Sequence, residues 1–134
     1  MKKVIFWSGT GNTEAMAEAI CEALDDAELL EVGDATVDDV ANADAIAFGC
    51  PSMGDEVLEE SEMEPFIESI EDAVKGKPII LFGSYDWGNG EWMEDWEERM
   101  KGYGAELVAP GLIVNLEPSD EDLEACKELA KKLN

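Results

Sequence analysis

Between Ser8 and Thr13 the chain sets three hydroxyls, one amide and two glycines in the run Ser8-Gly9-Thr10-Gly11-Asn12-Thr13. An apolar β-type run, Val4 to Trp7, ends at this loop, and a helix-type pattern begins at once behind it. The first N–H groups of a helix lack backbone partners and carry partial positive charge, so such a junction can hold an anion, phosphate above all. No Lys or Arg stands in the loop, so the donors would be neutral: the hydroxyls of Ser8, Thr10 and Thr13, the Asn12 amide and backbone N–H groups. Gly9 and Gly11 would let the backbone approach the ligand closely. The plain alternative is a glycine-rich strand-to-helix turn, capped by Asn12 or Thr13, that binds nothing.

Two further loops carry residues suited to a flat, phosphorylated ligand. The first contains Ser52-Met53-Gly54-Asp55-Glu56 and the second Ser84-Tyr85-Asp86-Trp87-Gly88. Met53 and Trp87 could cover the two faces of an aromatic ring system, because tryptophan stacks and a methionine sulfur packs well on an aromatic face. Backbone groups and Glu56 could meet its polar edge. Other phosphate chemistries fit poorly. No GxxxxGK[ST] is present, and Glu14 stands where GxGxxG needs its third glycine. No cysteine sits in a phosphate loop ahead of an arginine.

These loops need a scaffold, and the pattern of the chain supplies one. Val4–Trp7, Glu28–Val32, Ala43–Cys50, Pro78–Gly83 and Ala105–Val114 read as strands, the last interrupted by Pro110-Gly111. Between them lie helical stripes: Met16, Ile20 and Leu24; a short helix over 37–41; Met63, Phe66, Ile67, Ile70 and Val74; Trp92, Trp96, Met100 and Tyr103; and finally Leu123, Cys126, Ala130 and Leu133. Residues 51–60 and 84–91 read as loops. Strictly alternating strands and helices predict an α/β protein with a five-stranded parallel sheet covered on both faces, and right-handed crossovers make 2-1-3-4-5 the compact order. In that order the three loops converge beyond the carboxyl ends of the strands at the switch point between strands one and three.

Composition narrows the classes. A length of 134 residues predicts one domain spanning 1–134, and 46% hydrophobic residues are enough for a core. Histidine is absent, which removes Ser/His and Cys/His catalysis. Three widely spaced cysteines, Cys21, Cys50 and Cys126, predict free thiols rather than a zinc site or disulfide framework. No metal is expected. A formal charge of −24 disfavours nucleic acid and anionic membrane and favours partners with basic docking faces. The short apolar run at the start breaks at Ser8, unlike a secretory signal, which predicts a cytoplasmic protein.

Taken together, Trp7-Ser8-Gly9-Thr10-Gly11-Asn12-Thr13-Glu14, Met53-Gly54-Asp55-Glu56 and Phe82-Gly83-Ser84-Tyr85-Asp86-Trp87-Gly88 resemble the motifs of a short-chain flavodoxin of clostridial type, in family order. The resemblance implies a flavodoxin-like three-layer sandwich binding FMN. The 5′-phosphate would lie in the Ser8–Thr13 loop, the isoalloxazine between Met53 and Trp87, and Glu56 would accept from flavin N3–H. It implies a monomeric electron carrier rather than an enzyme. Such a carrier shuttles single electrons at low potential, through a stabilised neutral semiquinone, between reductases and low-potential acceptors. It also implies that the Gly54-Asp55 peptide turns its carbonyl towards flavin N5–H on one-electron reduction. In the Met53–Glu56 turn, type II′ geometry needs positive φ at Gly54 and type II needs it at Asp55. Asp86 stands where the family commonly has glycine; a position requiring positive φ would strain it. Asn115 is expected near the ribityl chain. The competing classes are a flavodoxin-like domain without flavin, a reductase subunit, and an interaction module using its acidic face.

Overall fold

The computed structural model describes residues 1–134. Strands β1 (Lys2–Phe6), β2 (Ala27–Glu31), β3 (Ile46–Gly49), β4 (Pro78–Tyr85), β5 (Glu106–Leu107) and β6 (Leu112–Asn115) build one sheet. Its order is β2-β1-β3-β4-β5, with β6 also on β4, and every pairing is parallel. Helices α1 (Asn12–Ala23), α2 (Val37–Ala41), α3 (Met63–Ser69), α4 (Glu91–Gly102) and α5 (Asp120–Lys131) alternate with the strands. Because both faces of the sheet are covered, the central strands are apolar throughout: all four residues of β3 are buried, as are six consecutive residues of β4.

The sheet separates two cores. On one face Ile5, Phe48, Ile79 and Leu81 pack with Val40, Phe66, Ile67, Trp92, Trp96 and Met100, which belong to α2, α3 and α4. On the other, Val4, Phe6, Ala47, Ile80 and Phe82 pack with Met16, Ile20, Cys126 and Ala130 of α1 and α5. Trp92 and Trp96 are each 1% exposed, as their helical spacing required, and the Trp92 indole donates to the Cys50 carbonyl at 3.2 Å. Cys50 and Cys126 are buried free thiols, and burial pushes both up to about 12. Cys21 is a partly buried free thiol.

Four boundaries differ from the sequence pattern. The fifth strand exists in two pieces on the same neighbour, because Pro110 has no N–H to give and the Gly111 N–H is taken by the Glu97 carboxylate at 2.8 Å. β4 runs on through Ser84 and Tyr85, so these two residues belong to the sheet rather than the loop. α3 stops at Ser69, whose hydroxyl turns back to the Phe66 carbonyl at 2.6 Å, while Ile70 and Val74 stay buried in the turns beyond. α1 is capped by neither Asn12 nor Thr13: its N-cap is Gly11, at φ +94°. Two capping boxes, Thr36 with Asp39 and Ser119 with Asp122, fix the starts of α2 and α5.

Close packing of β4 against the end of β3 is tightest at Gly83, where an added Cβ would lie 2.1 Å from the Cys50 carbonyl oxygen. At Gly102, the last residue of α4, an added Cβ would meet nothing within 4 Å. Gly83→Ala is therefore expected to destabilise the protein by about 3 kcal/mol in urea unfolding, whereas Gly102→Ala should stabilise it by roughly 0.5 kcal/mol.

Candidate functional site

β1 pairs with β2 on one side and with β3 on the other, so the chain leaves the sheet in opposite senses from β1 and β3 and no helix covers the gap between their ends. A cleft opens there. It is lined by Trp7, Ser8, Gly9, Thr10 and Thr13 from the first loop, Pro51, Ser52 and Met53 from the second, and Ser84, Tyr85 and Asp86 from the third. An adjoining recess adds Gly54 with Val57, Glu59, Glu60 and Ser61. All three loops thus meet at one place.

The first loop is held from within. The Ser8 hydroxyl oxygen accepts from Gly11 N–H at 3.1 Å and from Glu14 N–H at 3.2 Å, so it caps α1 from outside the helix. The N–H groups of Gly9, Thr10, Asn12 and Thr13 have no acceptor within the protein. Neutral donors and the positive end of a twelve-residue helix therefore stand together in the loop that lines the cleft, with no cationic side chain among them. The Thr13 side chain is 1% exposed, and its hydroxyl is bonded to that of Ser84 at 2.9 Å while accepting from Ser84 N–H at 3.3 Å. It ties the first loop to β4 instead of standing free. Thr10 is exposed and Asn12 half-buried.

In the second loop Met53 and Val57 exchange backbone hydrogen bonds, both 2.9 Å, and close a five-residue hairpin. Gly54 has φ +49° and Asp55 does not have positive φ, which is the sign pattern of type II′ and not of type II. Gly54 and Asp55 are exposed at its tip. Glu56, at φ +58°, turns its carboxylate inwards: Oε1 accepts from Gly90 N–H and Glu91 N–H, both at 3.0 Å. It supplies the cap that Gly90, the N-cap of α4, lacks a side chain to give. The same carboxylate lies against Gly88, where an added Cβ would come within 2.5 Å of it. Its other oxygen, Oε2, has no hydrogen-bond partner. Glu56 thereby joins the second loop to the third.

Glu59 secures the far end of the second loop. It is 3% exposed, and its carboxylate accepts from the N–H groups of Ser61 (2.8 Å), Glu62 (2.9 and 3.1 Å) and Met63 (3.3 Å), and from the Ser61 hydroxyl. Burial by itself would raise its pKa, but these donors outweigh burial and hold it below the ordinary 4.5.

In the third loop Asp86 does not have positive φ, so aspartate sits there without backbone strain. Trp87 stands 60% exposed beside the cleft. The Asn115 side-chain N–H groups donate to the carbonyls of Tyr85 at 3.1 Å and Asp86 at 3.4 Å, which ties the end of β6 to this loop. Trp7 was not singled out by its sequence context as a cleft residue. Its ring lies over Gly9, where a Cβ would be 3.1 Å from it, and it lines both the cleft and the recess. Its place as the last residue before the loop, at the head of the first resembling motif, is the signal that points to it.

A doubly wound parallel sheet with an unpartnered helix N-terminus at its switch point, flanked by loops bearing Met53 and Trp87, belongs to the class of α/β proteins that take ligands beyond the carboxyl ends of their strands. The flavodoxin family model matches residues 4–129. The chain is 51% identical to a flavodoxin of Clostridium beijerinckii, over 98% of this chain and 97% of that protein. It superposes with a TM-score of 0.89 on the two-electron reduced flavodoxin of Megasphaera elsdenii, at 45% identity over 99% of this chain and 98% of that one. A nitric oxide reductase of Moorella thermoacetica is 32% identical over 91% of this chain, which spans 32% of that protein. The chain belongs to the flavodoxin family. Flavodoxins bind FMN and transfer electrons to and from redox enzymes rather than acting as enzymes themselves. The four free N–H donors and the glycines beside them fit the FMN phosphate without needing a counter-charge.

A depressed folded-state pKa means that the stability Glu59 contributes is complete above its unfolded value and is lost as pH falls through the lower folded value. Glu59→Gln should cost about 1–3 kcal/mol at pH 7, and the difference from the parent protein should shrink as pH drops below 4.5. Urea unfolding at stepped pH measures this. Glu56→Ala, which uncaps α4 and frees the third loop, should cost about 1–2 kcal/mol in the same assay.

Proposed function

We propose that residues 1–134 form a single FMN-binding unit that carries one electron at a time, at low potential and through a stabilised neutral semiquinone, between redox enzymes. The observation that carries this is the set of free N–H groups at Gly9, Thr10, Asn12 and Thr13, placed at the switch point of the sheet. The loop from Ser8 to Thr13, including Gly11, holds the phosphate. Ser52, Ser84 and Tyr85 line the floor, and Met53 and Trp87 bracket the ring. Glu56 keeps one carboxylate oxygen for flavin N3–H while the other caps α4. Gly88 must stay small so that this carboxylate fits.

FMN supplies the redox chemistry; the chain sets its potentials. With 33 acidic against 9 basic residues, the protein repels the negative charge that full reduction adds, so the second electron enters at low potential. Asp86, exposed in the lining of the cleft, and Glu59 and Glu60 of the adjoining recess carry part of that charge to the site itself. The same charge suits basic docking faces on reductases and low-potential acceptors. No helix is long and apolar enough to cross a membrane, and the carrier is expected to work as a cytoplasmic monomer.

Stepwise anaerobic reduction followed by absorbance tests the reading: a yellow protein should turn blue and then pale, while a protein left colourless after FMN addition would refute it. Gly54 has positive φ and open space around it, so Gly54→Ala strains the backbone without a clash. One hydrogen bond of about 1 kcal/mol corresponds to roughly 40 mV in a one-electron potential. Gly54→Ala is accordingly expected to lower the first potential by tens of millivolts while FMN remains bound. An unchanged potential would remove the Gly54-Asp55 peptide from the mechanism.

A further inference from the structure

The chain holds six methionines and three cysteines, and nearly all of this sulfur is out of reach. Met16, Met63 and Met100 are fully buried, and Met93 is 3% exposed. Cys50 and Cys126 are buried with thiols pushed up to about 12, and burial raises Cys21 as well, so none of the three is a ready thiolate. Met1 is exposed, but its amine is bound by the Asp44 carboxylate at 2.7 Å, just ahead of β3, at the amino end of the sheet. That end lies opposite the cleft. Met53 is the exception. It is half-buried, and it lines both the cleft and the adjoining recess. Paired backbone hydrogen bonds with Val57 hold it in that place.

We propose that Met53 is a modification site, at which a hydroperoxide converts the thioether into a sulfoxide and thereby loosens the hold on the cofactor. The loosened hold rests on the FMN-binding reading above; the oxidation itself does not. The sulfur lone pair attacks one peroxide oxygen, the O–O bond breaks and an S–O bond forms. The proton on the attacked oxygen passes to the departing oxygen, which leaves as water or an alcohol. Sulfur loses two electrons and the peroxide gains them. No thiolate, metal or base takes part, so access through the cleft selects the residue. An apolar, polarisable group that packs well on an aromatic face becomes a polar hydrogen-bond acceptor. The recess suits such an acceptor poorly: Glu59 and Glu60 bring carboxylates, and the Ser61 hydroxyl already donates to Glu59. The change is reversible, because sulfoxide reductases restore the thioether, and Met53 adjoins the exposed Gly54-Asp55 tip where such an enzyme could reach it.

The test treats the FMN-loaded protein and its FMN-free form with hydrogen peroxide and maps the added oxygen by peptide mass spectrometry. In the FMN-free protein Met53 should be oxidised about ten-fold faster than Met16, Met63, Met93 and Met100. Bound FMN should slow oxidation at Met53 and leave Met1 unaffected. Oxidation should raise the FMN dissociation constant about ten-fold in a fluorescence titration, and methionine sulfoxide reductase should restore it. Met53→Leu, compared with itself before and after peroxide, should keep its FMN affinity although Met1 is still oxidised. Oxidation of Met53 no faster than that of the buried methionines would overturn the site. A Met53 sulfoxide that binds FMN as tightly as the untreated protein would overturn its hold on the cofactor, and so would an equal loss of affinity in peroxide-treated Met53→Leu. An untreated parent that takes up no FMN would refute the FMN-binding reading and the loosened hold with it, while the mass map still decides the site.

Discussion

β1 lies between β2 and β3 and pairs in parallel with both, and the rest of the molecule depends on that placement. Parallel neighbours must be joined by crossovers, and crossovers of one hand leaving β1 and β3 run to opposite faces of the sheet. The helices that cover the two faces then part above the ends of these strands. What remains is a cleft whose floor is backbone and whose walls are loops. No side chain needs to be placed there by selection for function; the topology makes the opening, and the loops furnish it.

Three hydrogen-bonded ties keep the furniture rigid. Ser8 caps α1 from the loop, so that its own hydroxyl satisfies two donors and the neighbouring four are left for a ligand. Thr13 and Ser84 bind the first loop to β4. Glu56 spans from the second loop to the start of α4, with its carboxylate packed against Gly88 of the third loop. Each tie uses a polar side chain that would be costly to bury alone and is instead fully or half engaged. A pre-organised site of this kind loses little freedom when it takes up its ligand.

The electrostatic design runs the same way at longer range. A site without cations, in a chain of net charge −24, offers a phosphate only dipoles and hydrogen bonds. Bulk charge therefore supplies no attraction for the phosphate. Anionic surroundings also disfavour added negative charge within the cleft.

Periodicity and punctuation in the chain were sufficient for the alternating architecture, the two-sided burial, the sheet order and the convergence of three loops, because each follows from local pattern and handedness. Trp92 and Trp96 announced themselves as core by their spacing, and the residue types of Ser8 to Thr13 marked the strand-to-helix junction where free N–H groups lie. Family resemblance then supplied FMN. Only the tertiary structure decided which polar atoms are free and which are spent. Thr13 and Asn115 are both hydrogen-bonding residues near the cleft, yet one is bound by Ser84 and the other by Tyr85 and Asp86, partners far away in sequence. The N-cap fell to Gly11 because Ser8 reaches the helix from outside it. The left-handed backbone of Glu56 and Leu116 had no local signature, since it is imposed on these residues by contacts with other strands and loops. Local sequence governs what a segment prefers; long-range pairing governs which of its groups remain available to a ligand or a partner.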